Sequence, residues 1–340
     1  MTEKRKLKER LLRLIKRFSG KRVILIGDLI ADQFVETMTE RISREAPVPI
    51  LRYLSSRIAP GGGGNAAGNI ASLGGEVIPI GVVGEDEAGE RLISSFKERG
   101  INPTSIIIEP RHQTPVKTRI LAGGFHTVKQ QVLRIDRWQP LSDLPGLRDR
   151  LAERLLTNIA EAKAILISDY GLGILSPSFF SLIKREARKK KIPFTLDSRY
   201  NLLDYPGATA VTPNEPEAEQ ALGINFEKDD SRIIEAGEKL LDLMKETEAV
   251  LITRGRKGMV LFERGREPVK IDIYGTEEIA DVTGAGDTVI ASFTLALSCG
   301  ASFYEAARIA NYAGGIVVMK RGTATVSQEE LIDAVKRDSG

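Results

Sequence analysis

The chain has 340 residues, 42% of them hydrophobic and 28% charged, with a formal net charge of +3. That length holds one large α/β domain or two ordinary ones, and so small a charge leaves no electrostatic footprint for nucleic acid. A single cysteine, Cys299, and two histidines, His112 and His126, exclude an internal disulfide, a cysteine-based zinc site and most histidine-rich metal sites.

No apolar run approaches the ~20 residues of a membrane span, and the N-terminus lacks the apolar core and cleavage site of a signal peptide. The expected compartment is therefore the cytoplasm. Residues 1–19 read as a basic helix with Leu11, Leu12, Leu14, Ile15 and Phe18 toward one face. Packing of that stripe on the domain is preferred to adsorption on an anionic membrane. Residues 23–26 predict a buried first strand ending at Gly27-Asp28, with Asp32 just beyond it, where open parallel sheets bind ligands. Residues 35–55 alternate and carry prolines, which suits exposed or edge strands.

Pro60 is followed by Gly61, Gly62, Gly63 and Gly64, then by Asn65-Ala66-Ala67-Gly68-Asn69. A flexible linker fits poorly, because residues 66–73 at once become an amphipathic helix. Close backbone approach to a small molecule fits better. Residues 77–84 predict a strand and residues 85–89 the start of a helix. Residues 114–136 turn to period two, with Gly123-Gly124 as the turn of a hairpin; with residues 35–55 this makes a small separate sheet. From residue 150 onward strands and helices alternate, as in a parallel sheet, with strands at 164–169, 194–197, 210–214 and 250–253. The basic run from Lys184 to Lys191 reads as a solvated helix face. No repeat or linker interrupts the pattern, so one domain over residues 1–340, with lid segments at 35–55 and 112–136, is the economical reading.

Near the end stands Asp281-Val282-Thr283-Gly284-Ala285-Gly286-Asp287, followed by a continuous apolar helix. Gly284, Ala285 and Gly286 add no bulk, so backbone N–H groups at the positive end of that helix can meet an anion or a transferring phosphoryl group. Asp287, in the first turn, is placed to take a proton from an attacking hydroxyl, and the helix end is expected to keep it ionised. The plain alternative is a tight turn with Asp287 as a helix cap.

The two glycine stretches, their order and the alternating pattern between them resemble the ribokinase (PfkB-type) carbohydrate kinase family over about residues 20–335. The resemblance implies a three-layer α/β fold with a mostly parallel central sheet, a small β lid over the sugar, and magnesium-ATP as donor. It implies Asp287 as catalytic base and Gly284, Ala285 and Gly286 as anion hole. Asn214-Glu215-Pro216-Glu217 matches an N-x-x-E pattern, with Asn214 and Glu217 organising phosphate and hydrated Mg²⁺; taken alone, Asn214 reads as a helix cap. Thr253, Gly255 and Gly258 are expected along the nucleotide and Asn311 near the adenine. Asp32, Gly61, Gly62 and Asn65 are expected at the sugar, and Asp281 at a monovalent-cation site as in some relatives.

Residues 43–49, 168–173 and 207–214 look like the kinase module of bacterial heptose biosynthesis, which implies D-glycero-β-D-manno-heptose 7-phosphate as acceptor. Asp197-Ser198-Arg199 and the glycine run depart from the expected forms. Many relatives of that module carry a nucleotidyltransferase domain with an H-x-G-H motif; none is expected in this chain, so adenylyl transfer is expected from another protein. Arg44, Lys117, Arg119, Lys129, Arg134 and Arg199 are the candidates for a substrate phosphate. Alternatives are a kinase for fructose, ribose or fructose 1-phosphate, or a non-catalytic sugar or nucleotide sensor. Dinucleotide-dependent oxidoreduction fails because Gly27-Asp28 does not continue into G-x-G-x-x-G. A homodimer through the lid is expected, since exposed strand edges gain from cover.

Overall fold

The computed structural model describes residues 3–124, 129–141, 144–225, 232–275, 282–320 and 322–338. A first helix, α1 (Glu3–Lys16), leads to β1 (Arg22–Gly27). The alternation of β1 explains its central position: Val23 and Leu25 enter one core cluster, Ile24 and Ile26 the other. β1 lies parallel between β4 (Glu76–Ile80) and β9 (Ala164–Asp169). Beyond β9 the parallel sheet continues through β10 (Phe194–Ser198), β11 (Ala210–Val211) and β12 (Ala249–Thr253). Antiparallel β13 (Met259–Glu263) and β14 (Val269–Ile271) complete that edge.

On the face lined by Val23 and Leu25 pack α1, α2 (Gly63–Ser72), α3 (Glu87–Glu98), α8 (Ala285–Ser298), α9 (Phe303–Val317) and α10 (Gln328–Arg337). On the other face pack α4 (Leu147–Asn158), α5 (Pro177–Lys190), α6 (Glu215–Leu222) and α7 (Arg232–Leu243). The result is the expected three-layer arrangement. The N-terminal helix buries Leu11, Leu14 and Ile15 on the domain and keeps its basic residues outside, as its spacing predicted. The basic run of α5 is partly tied down: Lys184 and Arg188 both reach Glu246.

The segments expected as a lid form a separate sheet, β3-β2-β7-β8, of β2 (Leu29–Ile42), β3 (Pro49–Gly62), β7 (Val116–Ala122) and β8 (Gln130–Arg137). Its strands reach deeper than the sequence suggested. β2 starts one residue after Asp28, so Asp32 lies within a strand and not in a loop past β1. Pro60, Gly61 and Gly62 end β3, and Gly63 already opens α2, so the glycine run is a strand-to-helix joint. The reason is crowding: a Cβ at Gly27 would lie 2.9 Å from the Ser168 carbonyl oxygen and 3.2 Å from the Gly63 Cα. The strand expected over 77–84 breaks at Gly81, and β5 (Val82–Val83) pairs instead with β6 (Ile107–Ile108). There the chain passes Leu29 so closely that a Cβ would sit 2.6 Å from its Cγ. His126 and Asp281 lie outside the described residues.

Candidate active site

The site forms where α2 and α8 converge on the ends of β1 and β9. The small residues of α2, among them Gly64, Ala66, Ala67 and Gly68, are buried and let the two helices approach closely. Thr288 on α8 donates to the Asn69 side-chain oxygen at 3.1 Å, and the Asn69 amide donates to the Asn65 carbonyl at 3.1 Å. The Asn65 side-chain amide donates in turn to Asp287 Oδ2 at 2.8 Å. Tyr170, just past β9, donates its hydroxyl to Asp287 Oδ1 at 3.0 Å. Each carboxylate oxygen thus has a donor, and the carboxyl is fixed in position.

Asp287 is not the cap of α8. Gly284 occupies that position, with φ at 78° and no side-chain cap, while Asp287 is buried in the first turn. A Cβ at Gly284 would collide with the Asn65 amide nitrogen, so glycine here is required twice over. The Ala285 amide turns back to the Val282 carbonyl at 3.2 Å, which leaves the next first-turn amides, of Gly286 and Asp287, as the better anion donors. The expectation that the helix end keeps Asp287 fully ionised is corrected. Burial raises its pKa to about 7, against the hydrogen bonds from Asn65 and Tyr170; Asp32 adds to the rise and Lys117 opposes it. Burial also pushes the Tyr170 phenol well above its ordinary range, so it stays a donor.

Two cavities meet at Tyr170 and Arg199, and Asp287 lines the larger of them. The larger, about 680 Å³, is walled by Gly284, Ala285, Gly286 and Asp287, by Asn214 and Glu217, by Thr253, Gly255 and Gly258, and by Asn311. All the residues expected along a nucleotide and its phosphates are therefore brought together. Asn214 serves its plain role as well: it caps α6, accepting from the Glu217 amide at 2.9 Å, while the Glu217 carboxylate accepts from the Asn214 amide at 2.9 Å. Asn311 reaches the cavity wall with its amide engaged on the Asp272 carbonyl at 2.8 Å.

Asp197 and Thr212 also face this cavity; the sequence marked Asp197 only as a departure from the expected form and Thr212 only as part of the segment 207–214. Burial raises Glu217, and it raises Asp197 well above the carboxylate range, with Glu217 and Asp287 adding to the latter. The Thr212 hydroxyl is buried with no hydrogen-bond partner among the described residues. Two buried carboxylates beside a hydroxyl on one cavity wall are a hard oxygen donor set that fits hydrated Mg²⁺.

The second cavity, about 430 Å³, lies toward the lid and is bordered by Lys117, Arg134, Arg137, Tyr170 and Arg199 among others. Asp32, Gly61, Gly62 and Asn65 do not line either cavity. Asp32 is buried at the root of the lid, ion-paired to Arg119 at 2.6 Å. Gly61 packs so tightly on the Asp32 carboxylate that a Cβ would overlap it, and Gly62 adopts φ 55° at the joint. Asp28 was noted only as the end of β1. It accepts from the amides of Tyr170 and Leu172 at 2.8 and 3.2 Å and so holds the loop that carries Tyr170. Burial, reinforced by Asp169, raises it to about 7.

The chain is 41% identical over 313 residues to the bifunctional protein HldE of Geobacter sulfurreducens, covering 92% of this chain and 62% of that protein. It is 39% identical over 335 residues to the HldE of Mesorhizobium japonicum, covering 98% and 65%. The chain thus spans less than two thirds of the length of these curated relatives. Among solved structures, the Arabidopsis thaliana ribokinase complexed with ribose and ATP superposes with a TM-score of 0.72 at 21% identity, covering 94% of this chain and all of that one. Phosphofructokinase-2 from Escherichia coli in complex with potassium gives 0.72 at 19% identity, covering 93% and 98%; both establish the fold. The profile described as pfkB family carbohydrate kinase matches residues 21–330, and with that span, this fold and the Asp287 site the chain belongs to the pfkB family of carbohydrate kinases.

Proposed function

We propose that the chain transfers the terminal phosphoryl group of ATP to the anomeric hydroxyl of D-glycero-β-D-manno-heptose 7-phosphate, giving the 1,7-bisphosphate. The observation that carries the reading is the buried carboxylate of Asp287 on the wall of the larger cavity, held by Asn65 and by Tyr170, which lines both cavities. The heptose acceptor rests on the segments at 43–49, 168–173 and 207–214 and on similarity to the HldE proteins.

ATP lies in the larger cavity, its phosphates toward the start of α8, and the sugar lies under the lid near Asp32, Gly61 and Gly62. Asp287 takes the anomeric proton as the sugar oxygen bonds to the γ-phosphorus and the bond to the β–γ bridging oxygen breaks, releasing ADP. A base near pKa 7 is matched to neutral operation. The amides at the start of α8 receive the equatorial oxygens as charge spreads over them. Glu217, Asp197 and Thr212 would hold Mg²⁺ through its water shell, where it neutralises phosphate charge. A monovalent cation near Asp281 belongs to the same reading, supported by the potassium-bound phosphofructokinase-2 neighbour. The working form is a cytoplasmic homodimer joined through the lid.

The test is ATP consumption with magnesium across heptose 7-phosphate, free heptose, fructose, ribose and fructose phosphates. Strong preference for heptose 7-phosphate is expected. Preference for another sugar refutes the substrate and keeps the chemistry. Nucleotide binding without turnover on any of them refutes the kinase reading.

A further inference from the structure

The hydrogen bond that places Asp287 leans on a second pair of side chains, one on each helix. Asn69 lies one turn past Asn65 on α2, and Thr288 follows Asp287 on α8; both are fully buried. Neither lines the two cavities, so neither is placed to touch a substrate.

An amide side chain has a donor end and an acceptor end of nearly the same shape, so its direction is set by what it meets. Asn65 turns its nitrogen toward two acceptors, Asp287 Oδ2 at 2.8 Å and the Gly284 carbonyl at 3.4 Å. Turned over, it would offer its oxygen to Asp287, which suits the protonated acid and repels the ionised base. Asn69 holds the opposite end. Its nitrogen donates to the Asn65 carbonyl at 3.1 Å and, more weakly, to the Asn65 Oδ1 at 3.5 Å. The direction of Asn69 is fixed in turn, because a main-chain carbonyl only accepts; its nitrogen must face Asn65 and its oxygen α8. There the Thr288 hydroxyl meets the oxygen at 3.1 Å. The same hydroxyl has the Gly284 carbonyl in reach at 3.2 Å, but that carbonyl already receives the Thr288 amide at 3.2 Å. A fully buried Asn69 oxygen left unserved is the costlier outcome, so the proton goes to Asn69.

We propose that Asn69 and Thr288 are positioning residues: linked across α2 and α8, they hold the Asn65 amide with its nitrogen toward Asp287 and so favour the ionised base over the neutral acid. The proposal rests on the reading of Asp287 as general base. Groups from other elements act on the same carboxyl: Asp32 on β2 and Asp197 on β10 oppose its ionisation, Lys117 on β7 favours it, and Tyr170 past β9 donates to it. Thr288 adjoins Asp287 in the chain, so a change at Asn69, on the other helix, is the control for a local shift of α8.

The test uses the full chain as wild type, Asn69→Leu, Thr288→Val and Thr288→Ser. The Asp287 carboxyl is titrated by carbon-13 NMR of protein labelled at its aspartate side chains, its resonance identified by its loss in Asp287→Asn. The pH profile of kcat/KM is measured in parallel, with the sugar preferred in the panel above. In Asn69→Leu and Thr288→Val the carboxyl titration and the acid limb should both move up by about one pH unit, as weakening of a charge-assisted contact requires. In Thr288→Ser, which keeps the hydroxyl, both should return to the wild-type position. ADP affinity should be unchanged throughout, which verifies folding; if Asn69→Leu does not fold, the two Thr288 variants decide. A carboxyl that titrates as in wild type in Thr288→Val and Asn69→Leu overturns the positioning role, and so does Thr288→Ser behaving as Thr288→Val. A carboxyl that moves while the acid limb stays overturns Asp287 as the base and leaves the hold of this pair on Asn65 standing.

Discussion

At the scale of single residues the site depends on what surrounds one carboxyl. Asp287→Asn should bind ATP as wild type does and lose about 10³-fold in turnover, the span expected for a missing general base; turnover near wild type would remove Asp287 from the mechanism. Because burial raises Asp287 to about 7, kcat/KM should rise with pH through neutrality as the base ionises. Tyr170→Phe deletes a hydrogen bond that favours the ionised form, so its acid limb should move to higher pH. A pH profile for Tyr170→Phe that overlays wild type would show that the hydroxyl does not tune the base. Asp287 and its glycines were legible in sequence because the motif is contiguous and its chemistry local. Asn65 was named as a sugar contact and Tyr170 only within the segment 168–173. Their meeting on Asp287 comes from packing α2 and the β9 end against α8, which no local pattern encodes. The protonation state was misjudged for a related reason: a helix end was visible in sequence, but the depth of burial that outweighs it was not.

Among elements, the join of β1, the lid and the loop after β9 passes through Asp28. Its carboxylate holds the backbone of Tyr170 and Leu172. Asp28 and Asp287 both shift from 3.8 to about 7 on folding. Between those values the folded chain keeps protons that the unfolded chain has released, so ligand-free stability should fall as pH rises across the window, by at most roughly 4 kcal/mol for each carboxyl. Asp28→Asn removes one of the two contributions, and its melting temperature should decline less steeply between pH 4.5 and 7. An unchanged slope would mean that Asp28 is already ionised in the folded chain. The central strands were readable because buried parallel strands are continuous apolar runs flanked by glycine. The starts of β2 and α2 were not, since Leu29 and Gly63 join their elements through contacts with Gly81 and Gly27 from elsewhere in the chain.

Over the whole molecule, the lid leaves apolar side chains in solvent: Leu133 and Ile135 on β8 are 53% and 52% exposed, and Tyr53 on β3 is 62% exposed. Such a face on an open sheet favours a second copy of itself. Light scattering on the eluting protein should give twice the chain mass, and Ile135→Glu should lower it to that of one chain; a wild-type monomer would refute the lid dimer. The strand order has a different consequence, in time. β1 receives its β4 neighbour early, but Val23 pairs with Ala164 on the other side, and the lid and three helices are made in between. During synthesis the open flank of β1 must wait for β9, and pairings so distant in sequence form slowly. A fragment ending near residue 160 should therefore self-associate through that apolar flank, and extension past residue 198, which adds β9 and its neighbour β10, should reduce the association. The order of translation, and not only the final packing, then becomes part of what the sequence must manage.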